Sequence, residues 1–405
     1  MSGLRVVVLD DTPYLAWDGR TYAANATFHR FAAALLDVRD AVGEAGIASL
    51  TLAAPVRPAA TAPSTLPVDE RIRVVATEPF DGIAGYVRRA PLITVRNAPR
   101  LRTAVAGADV VLLRLPASNG LLAALAAVAR GVPRVAYLVG SVRQVVAGQE
   151  RGGIGGLGAR IAAAGYDGAT RLAALGAPVV ISGAALARGG VVSSLVEPEE
   201  IRDRRGEPWP TVAGALRIAY AGRLAEGKGL EVLLDAVAEL ASAGVPTVSL
   251  DLVGDGPARG SLEDRAVALG VEGRVRFAGY LAGRAPYLDT LAAADVFVSA
   301  SPAEGFPKAV LDAMAAGLPV VAVPAGRLAE LVDPGATPAG APILPVAPGD
   351  PGALATALAH LAAEPVRARA LRAAGRAFVG EHTRPAEAAR LAAILRDAAV
   401  GAGRR

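Results

Sequence analysis

No cysteine occurs anywhere in the chain. That excludes disulfides, thiolate metal sites and a cysteine nucleophile, and it suits a reducing compartment. Histidine is nearly as scarce: His29, His360 and His382 lie far apart, so no metal-ligand spacing is visible. No stretch of about 18–20 apolar residues is free of charges or helix breakers, which predicts no membrane span. The first residues run straight into "LRVVVLDD", with acids where a secretory leader needs an apolar run. A cytoplasmic protein is expected. Lysine is the other scarcity: of 42 cationic side chains only Lys228 and Lys308 are lysines. A coding bias toward arginine explains the bulk of this. The two survivors hint at a specific need, because ammonium and guanidinium are not equivalent.

What the chain does contain is enough for a large interior. Its 405 residues suit two domains, and 53% of them are hydrophobic against 20% charged, which is not a disordered composition. The formal net charge of +4 favours anionic ligands or surfaces without saying which, and nothing marks a nucleic-acid partner.

Short β-branched runs alternate with Ala- and Leu-rich stretches. Strands are predicted at 5–10, 110–113, 134–139, 178–182, 216–222, 248–254, 275–279, 296–301 and 319–323. Their continuous apolar character points to strands buried on both faces of parallel sheets. In "GLEVLLDAVAELASAG", Leu230, Leu233, Leu234, Val237 and Leu240 form one helical stripe. This rhythm predicts an α/β fold of two doubly wound, Rossmann-like domains facing across a cleft. The boundaries are placed at 1–196, a charged and Pro/Gly-containing linker at 197–211, and 212–382. An amphipathic helix at 384–400 is expected to pack back on the first domain. The stretch 151–168 reads as a Gly-rich loop leading into a helix.

Three constellations carry chemistry. Gly222, Arg223, Lys228 and Gly229 follow one strand and open a helix; a Gly-rich turn, two cations and a helix N-terminus together make an anion site. A solvated Arg and Lys at a helix start is the plainer alternative. Glu304, Gly305, Phe306, Pro307, Lys308 and Asp312 follow a second strand, with Pro307 suited to the first turn of the next helix. Helical rise puts Glu304 and Asp312 on the order of 12 Å apart, about the distance from the sugar to the ribose of a nucleotide diphosphate sugar. A helix cap plus one surface acid is the alternative there. The third stretch, "LVGDGPARG", has Arg259 where a dinucleotide fingerprint needs its third glycine. Structural glycines at a tight turn are the better reading, and no nicotinamide cofactor is expected.

Together and in this order, "AGRLAEGKGLEVLLDA", "LVGDGPARGSL", "VRFAGYL" and "ADVFVSASPAEGFPKAVLDAMAAGLPVVA" resemble the C-terminal half of retaining GT-B glycosyltransferases of the GT4 family, over roughly 212–382. The resemblance implies a hexosyltransferase that moves a sugar from a nucleotide diphosphate sugar to an acceptor hydroxyl with retention, needing no metal and no cofactor. It implies that Arg223 and Lys228 hold the donor diphosphate, that Glu304 contacts the transferred sugar, and that Asp312 binds ribose. Gly222, Gly305, Phe306 and Pro307 would line the donor site, and Gly279 and Tyr280 the nucleobase pocket. The family's E-x7-E motif ends here in Asp312, one methylene short of the usual glutamate. The family's Gly-Gly loop after the first strand is represented by a single Gly19.

The acceptor stays open between small molecules, glycans and lipid-linked sugars. Arg88, Arg89, Arg96, Arg100 and Arg102, among apolar residues at 86–102, suit a peripheral contact with the anionic inner face of a membrane, a phosphorylated acceptor or a solvated helical face. His29 either faces the cleft or packs on its helix. The competing functions are a sugar-nucleotide epimerase of the same fold and a non-catalytic nucleotide-sugar-binding protein.

Overall fold

A computed structural model describes residues 3–24, 26–39, 43, 46–63, 65–80, 82–139, 154–182, 190–204, 209, 215–244 and 247–402. The chain divides into two compact units. One comprises Met1–Ala184, Gly190–Leu195 and Arg384–Arg405; the other is built on Val196–Thr383.

The first unit carries an eight-stranded sheet. Its strands are β1 (Leu4–Leu9), β2 (Tyr14–Trp17), β3 (Arg20–Ala23), β4 (Ile47–Pro58), β5 (Ile72–Thr77), β6 (Val110–Leu115), β7 (Arg134–Leu138) and β8 (Val179–Ile181). The parallel order is β5-β4-β1-β6-β7-β8, and a β2–β3 hairpin joins the far end of β4. Its helices are α1 (Ala26–Ala34), α2 (Gly82–Val105), α3 (Gly120–Val128) and α4 (Ile154–Ala174). Helix α4 begins inside the stretch expected to be a loop, so its glycines are helical from Ile154 on.

Four strands of this unit were not expected. β4 is the most telling, since it is flanked by β1 and β5 along most of its length. Hairpin β2–β3 turns at Asp18 and Gly19, which have φ of 47° and 70°. Two successive positive-φ residues are what a two-residue hairpin turn of matching twist requires, and Asp-Gly meets that need. The turn thus accounts for Gly19. It lies in a hairpin of the first unit, with no atom within 4 Å of where a Cβ would be.

The second unit holds six parallel strands: β9 (Ala215–Ala221), β10 (Thr247–Val253), β11 (Val275–Gly279), β12 (Val296–Ser299), β13 (Val320–Ala322) and β14 (Ile343–Pro345). Their order, β11-β10-β9-β12-β13-β14, is the doubly wound arrangement that reverses between β9 and β12. The helices are α5 (Leu230–Ser242), α6 (Arg259–Ala268), α7 (Arg284–Ala292), α8 (Lys308–Ala315), α9 (Pro351–Ala363) and α10 (Pro365–Glu381). The predicted stripe of α5 is buried at all five of its leucine and valine positions.

The last helix, α11 (Arg384–Ala402), returns to the first unit, where Ala388, Leu391, Ala392 and Leu395 join the core around Phe31, Leu50 and Tyr137. Glu387 is fully buried there, accepting from the Val192 amide and pairing with Arg390. Among the described residues no helix is long and apolar enough to cross a membrane.

The stretch expected to be a linker is partly docked. Residues 205–208, 210 and 211 lie outside the described residues. Residues 197–204 put their charges against the second unit: Glu200 grips Arg284, Arg202 pairs with Asp289, and Asp203 pairs with Arg376. The Arg202 amide also donates to the Ala315 carbonyl at the end of α8. A charged run is solvated only when no complementary charge faces it, and here three do.

The candidate donor site of the second unit

In an open parallel sheet, ligands bind beyond the carboxyl ends of the strands, where the strand order reverses. In the second unit that point lies between the loops leaving β9 and β12. The two expected constellations occupy these two loops.

Backbone geometry brings the loops together. Gly229, with φ of 69°, starts α5 so close to β12 that a Cβ there would sit 2.2 Å from the Ala300 carbonyl oxygen. Ser301 is buried, and its hydroxyl donates to the carbonyls of Gly227, at 3.3 Å, and Ala303, at 3.1 Å. A third loop, the one after β10, locks onto the first. A Cβ on Gly254 would meet the Gly222 oxygen at 1.9 Å, and one on Gly256 the Leu224 oxygen at 2.2 Å. The "LVGDGPARG" glycines are thus packing glycines at a tight turn, as their sequence suggested. A fourth loop adds Gly326, with φ of 56°, whose Cβ would fall 1.8 Å from the Glu304 carbonyl oxygen, and Arg327, whose amide donates to the Gly305 carbonyl.

Within this frame Lys228 and Glu304 meet. The Lys228 ammonium and a Glu304 carboxylate oxygen form a close ion pair, with both side chains partly exposed. Arg223 is exposed and forms no ion pair among the described residues. Its carbonyl is held by the buried Tyr220 hydroxyl, whose pKa burial raises. A Cβ on Gly305 would have no atom within 4 Å, so the space beside the loop is open. Phe306 and Pro307 are half-buried.

Helix α8 begins at Lys308, and Pro307 is its N-cap in extended conformation rather than part of its first turn. Residues 304–307 are therefore not helical, and the helical-rise estimate of the Glu304–Asp312 separation does not apply to them. Val310 donates its amide to the Pro307 carbonyl; the amides that open the helix face the end where Glu304 lies.

Asp312 is not a free carboxylate. One oxygen pairs with Arg284 at 2.7 Å and the other accepts from the Tyr287 hydroxyl at 3.1 Å. Burial raises the Asp312 pKa, and Arg284 beside it works against that rise. Arg284 in turn grips Glu200 through two nitrogens, at 2.8 and 3.0 Å. Burial alone would lower the Arg284 pKa, but its two carboxylate partners raise it. A carboxylate offers about four lone-pair sites and two are used, so Asp312 retains accepting capacity.

Gly279 closes β11 with φ of 70°, and its carbonyl accepts from the Gly254 amide. Tyr280 is 81% exposed beside it. Structure thus brings Gly222, Arg223, Lys228, Glu304, Gly305, Phe306 and Pro307 to one strand-end cluster, with Gly279 tied to it through Gly254. Gly19 belongs to the other unit. Sequence reasoning missed Ser301, Gly326, Arg284 and Tyr287. A glycine after "AVPA" marks Gly326 as a turn; the other three carry no local signal, because their partners are far along the chain. Among the described residues no three metal-ligating side chains come together.

Residues 215–364 match the family model described as Glycosyl transferases group 1. Over 111 residues the chain is 44% identical to the lipopolysaccharide core biosynthesis glycosyltransferase LpsE of Rhizobium meliloti, covering 27% of this chain and 30% of that one. Over 143 residues it is 32% identical to the GDP-mannose-dependent alpha-(1-6)-phosphatidylinositol dimannoside mannosyltransferase of Mycobacterium tuberculosis, covering 35% and 36%. These matches span about a third of the length of the curated relatives. A crystal structure of Anabaena HepE in complex with UDP superposes with a TM-score of 0.59 over 96% of this chain and 98% of that one, at 18% identity. That likeness is one of fold, and it makes the two α/β units a GT-B architecture. The stretch that matches the glycosyl transferases group 1 model, residues 215–364, holds both Lys228 and Glu304.

Proposed function

We propose that the protein transfers a sugar from a nucleotide diphosphate sugar to an acceptor hydroxyl, with retention of anomeric configuration and without a metal ion. The observation that carries this reading is the pairing of Lys228 with Glu304 at the reversal point of the second sheet, beside the exposed Arg223. A cation pair that can meet phosphate and a carboxylate that can meet sugar hydroxyls lie on adjacent loops.

Without donor, the two opposite charges satisfy each other. With donor, Lys228 and Arg223 turn to the diphosphate and Glu304 to the sugar. The bond from the anomeric carbon to the diphosphate oxygen breaks, and the acceptor oxygen bonds to that carbon on the same face. The acceptor proton passes to the leaving phosphate oxygen. Negative charge grows on the diphosphate as it leaves, and preorganised cations and amides stabilise such charge without reorganising. Asp312, held by Arg284 and Tyr287, accepts from the ribose diol with its remaining lone pairs. Tyr280 and Gly279 border the base.

HepE holds UDP in its crystal structure, while the mycobacterial relative is GDP-mannose-dependent, so relatives differ in the base. The two curated relatives are named for lipopolysaccharide core and phosphatidylinositol mannoside synthesis, which favours a glycan or lipid-linked acceptor. On this reading the enzyme works in the cytoplasm, at the inner face of the membrane. Helix α2 exposes Leu92 and Val95, at 43% and 72%, among its arginines. The nearby Glu78 neutralises part of that basic face through Arg89, Arg96 and Arg100.

The test is a thermal-shift screen against UDP, GDP, ADP, dTDP and their sugar conjugates, with EDTA present. A ligand that binds only the folded state raises the melting temperature. A shift with one diphosphate names the donor base, and the anomeric coupling of the product formed from that donor tests retention. No shift with any of them at millimolar concentration overturns the reading. Binding without product against glycan and lipid-linked acceptors leaves a nucleotide-sugar-binding protein.

A further inference from the structure

Helices α2, α3 and α4 lie side by side over one face of the first sheet and share the core that holds Leu101, Ala123, Ala127 and Ala173. Their apolar residues are distributed the wrong way round for burial alone. Helix α3 contains no polar side chain; it buries Ala123, Ala124, Ala126 and Ala127 and leaves Leu125 and Val128 each more than half exposed. The end of α4 repeats this: Ala173 is fully buried, while Leu172 and Leu175 are more than half exposed. Helix α2 adds the exposed Leu92 and Val95. A helix whose only task is to pack on a sheet turns its large apolar side chains inward, where each stabilises most. Here the small ones are inside and the large ones outside.

The charges of this layer are one-sided. Helices α2 and α3 contain no acid, and α4 contains one, Asp167. Glu78 beneath α2 is shared by Arg89, Arg96 and Arg100. Arg102, Arg130 and Arg171 are exposed and form no ion pair among the described residues.

These residues gather at one end of the layer. A cleft of about 500 Å³ runs between α2 and α3, with Leu122 and Leu125 in its apolar lining and Arg102 and Arg130 beside them. The chain leaves α3 through Arg130 and enters β7 at Arg134, whose guanidinium donates to the Leu175 carbonyl just past α4. The ends of α2, α3 and α4 are thus tied together, and each brings an arginine without a carboxylate partner.

We propose that the outward face of α2, α3 and α4 docks on a bilayer surface rich in anionic phospholipid. Leu92, Val95, Leu125, Val128, Leu172 and Leu175 enter the boundary between headgroups and acyl chains, and Arg102, Arg130 and Arg171 meet headgroup phosphates. Charge selects this occupant over a second copy of the chain. A two-fold contact would set the same surface against itself and face arginine with arginine. The proposal deepens the membrane location that the proposed function draws, and it rests on that reading for its biological sense. Vesicle binding is read without donor or acceptor, so either can fail alone.

The experiment is flotation of the full chain with lipid vesicles, read as the bound fraction. Binding to vesicles of mixed phosphatidylglycerol and phosphatidylcholine is expected to exceed binding to phosphatidylcholine alone by tenfold or more, and to weaken in about 0.5 M salt, where charges are screened. Arg102→Glu with Arg130→Glu is expected to lower it tenfold or more at an unchanged melting temperature. Leu125→Ser with Leu172→Ser is expected to lower it at least threefold. Arg367→Glu with Arg369→Glu makes the same charge change at exposed positions of the second unit and is expected to leave binding unaltered. No preference for the anionic vesicles, or an equal loss in the second-unit variant, overturns the proposal. So does a dimer in light scattering that comes apart in the Leu125→Ser, Leu172→Ser variant, which gives the face to a second copy.

Discussion

Lys228 and Glu304 are ion-paired across the reversal point of the second sheet, one from the loop after β9 and the other from the loop after β12. Nothing in the chain between them predicts the contact; parallel pairing of β9 with β12 creates it. On the proposed reading the pair accounts for a lysine at 228 in an arginine-rich chain. A compact ammonium on a flexible stem can serve a carboxylate and then a phosphate, whereas a guanidinium fork is wider and less mobile. Lys228→Ala should weaken binding of the nucleoside diphosphate by about 10- to 100-fold, the worth of a charge-assisted contact, and leave the bare nucleoside almost unaffected. Lys228→Arg should recover only part of the loss. Calorimetry with diphosphate and nucleoside checks both, and equal loss for the two ligands removes the phosphate assignment.

On the proposed reading Glu304 meets the transferred sugar. Glu304→Gln keeps the shape but loses the charge that pairs with Lys228. Turnover should fall at least tenfold, while affinity for the bare nucleoside diphosphate holds or rises, since Lys228 is released from its partner. Single-turnover rates alongside nucleotide affinities separate the two effects. Unchanged turnover removes the assignment.

Every one of the nine strands expected from continuous apolar runs is present, because burial on both faces leaves a one-dimensional mark. Strand β4 carries no such mark. "IASLTLAAPVRP" mixes Ser, Ala and Pro, and its strand character comes from neighbours on both sides. The β2–β3 hairpin was legible in principle from Asp18-Gly19, a short-range turn signal. Gly222, Gly229 and Glu304 were legible because each lies in a loop that follows a strand, whereas Gly326 was missed. The clamp on Asp312 was not legible, because Arg284 and Glu200 come from a different helix and from the docked stretch 197–204. That clamp leaves Asp312 a held carboxylate rather than a free one.

The glycines offer a steric test of the loop packing. Gly254→Ala places a Cβ 1.9 Å from a backbone oxygen at a positive φ, and Gly229→Ala places one 2.2 Å from another. Neither contact can be relieved by turning a side chain. Each should cost about 2 kcal/mol or more of stability, visible as a lower melting temperature. Gly305→Ala is the contrast: no atom lies within 4 Å, so the fold should tolerate it, and any loss should appear in donor binding alone. Equal melting temperatures for Gly254→Ala and wild type would contradict the packing described.

His29 sets a pH dependence in the first unit. It is 4% exposed, packs edge-on to Tyr14, and its Nε2 accepts from the Asp69 amide at 3.1 Å. The ring packs within the first unit. Accepting through Nε2 requires the neutral ring, and burial lowers its pKa from the ordinary value of 6.5. The unfolded chain therefore binds a proton that the folded chain resists. Where the unfolded state holds more protons, stability rises with pH. The stabilising contribution is fully present above about pH 6.5 and is lost as pH falls below it toward the folded pKa. Denaturant midpoints should drop between pH 7.5 and pH 5.5. His29→Gln, whose amide oxygen can accept the same Asp69 hydrogen bond, should be flatter across that window. An equally steep profile in the variant would place the titration elsewhere.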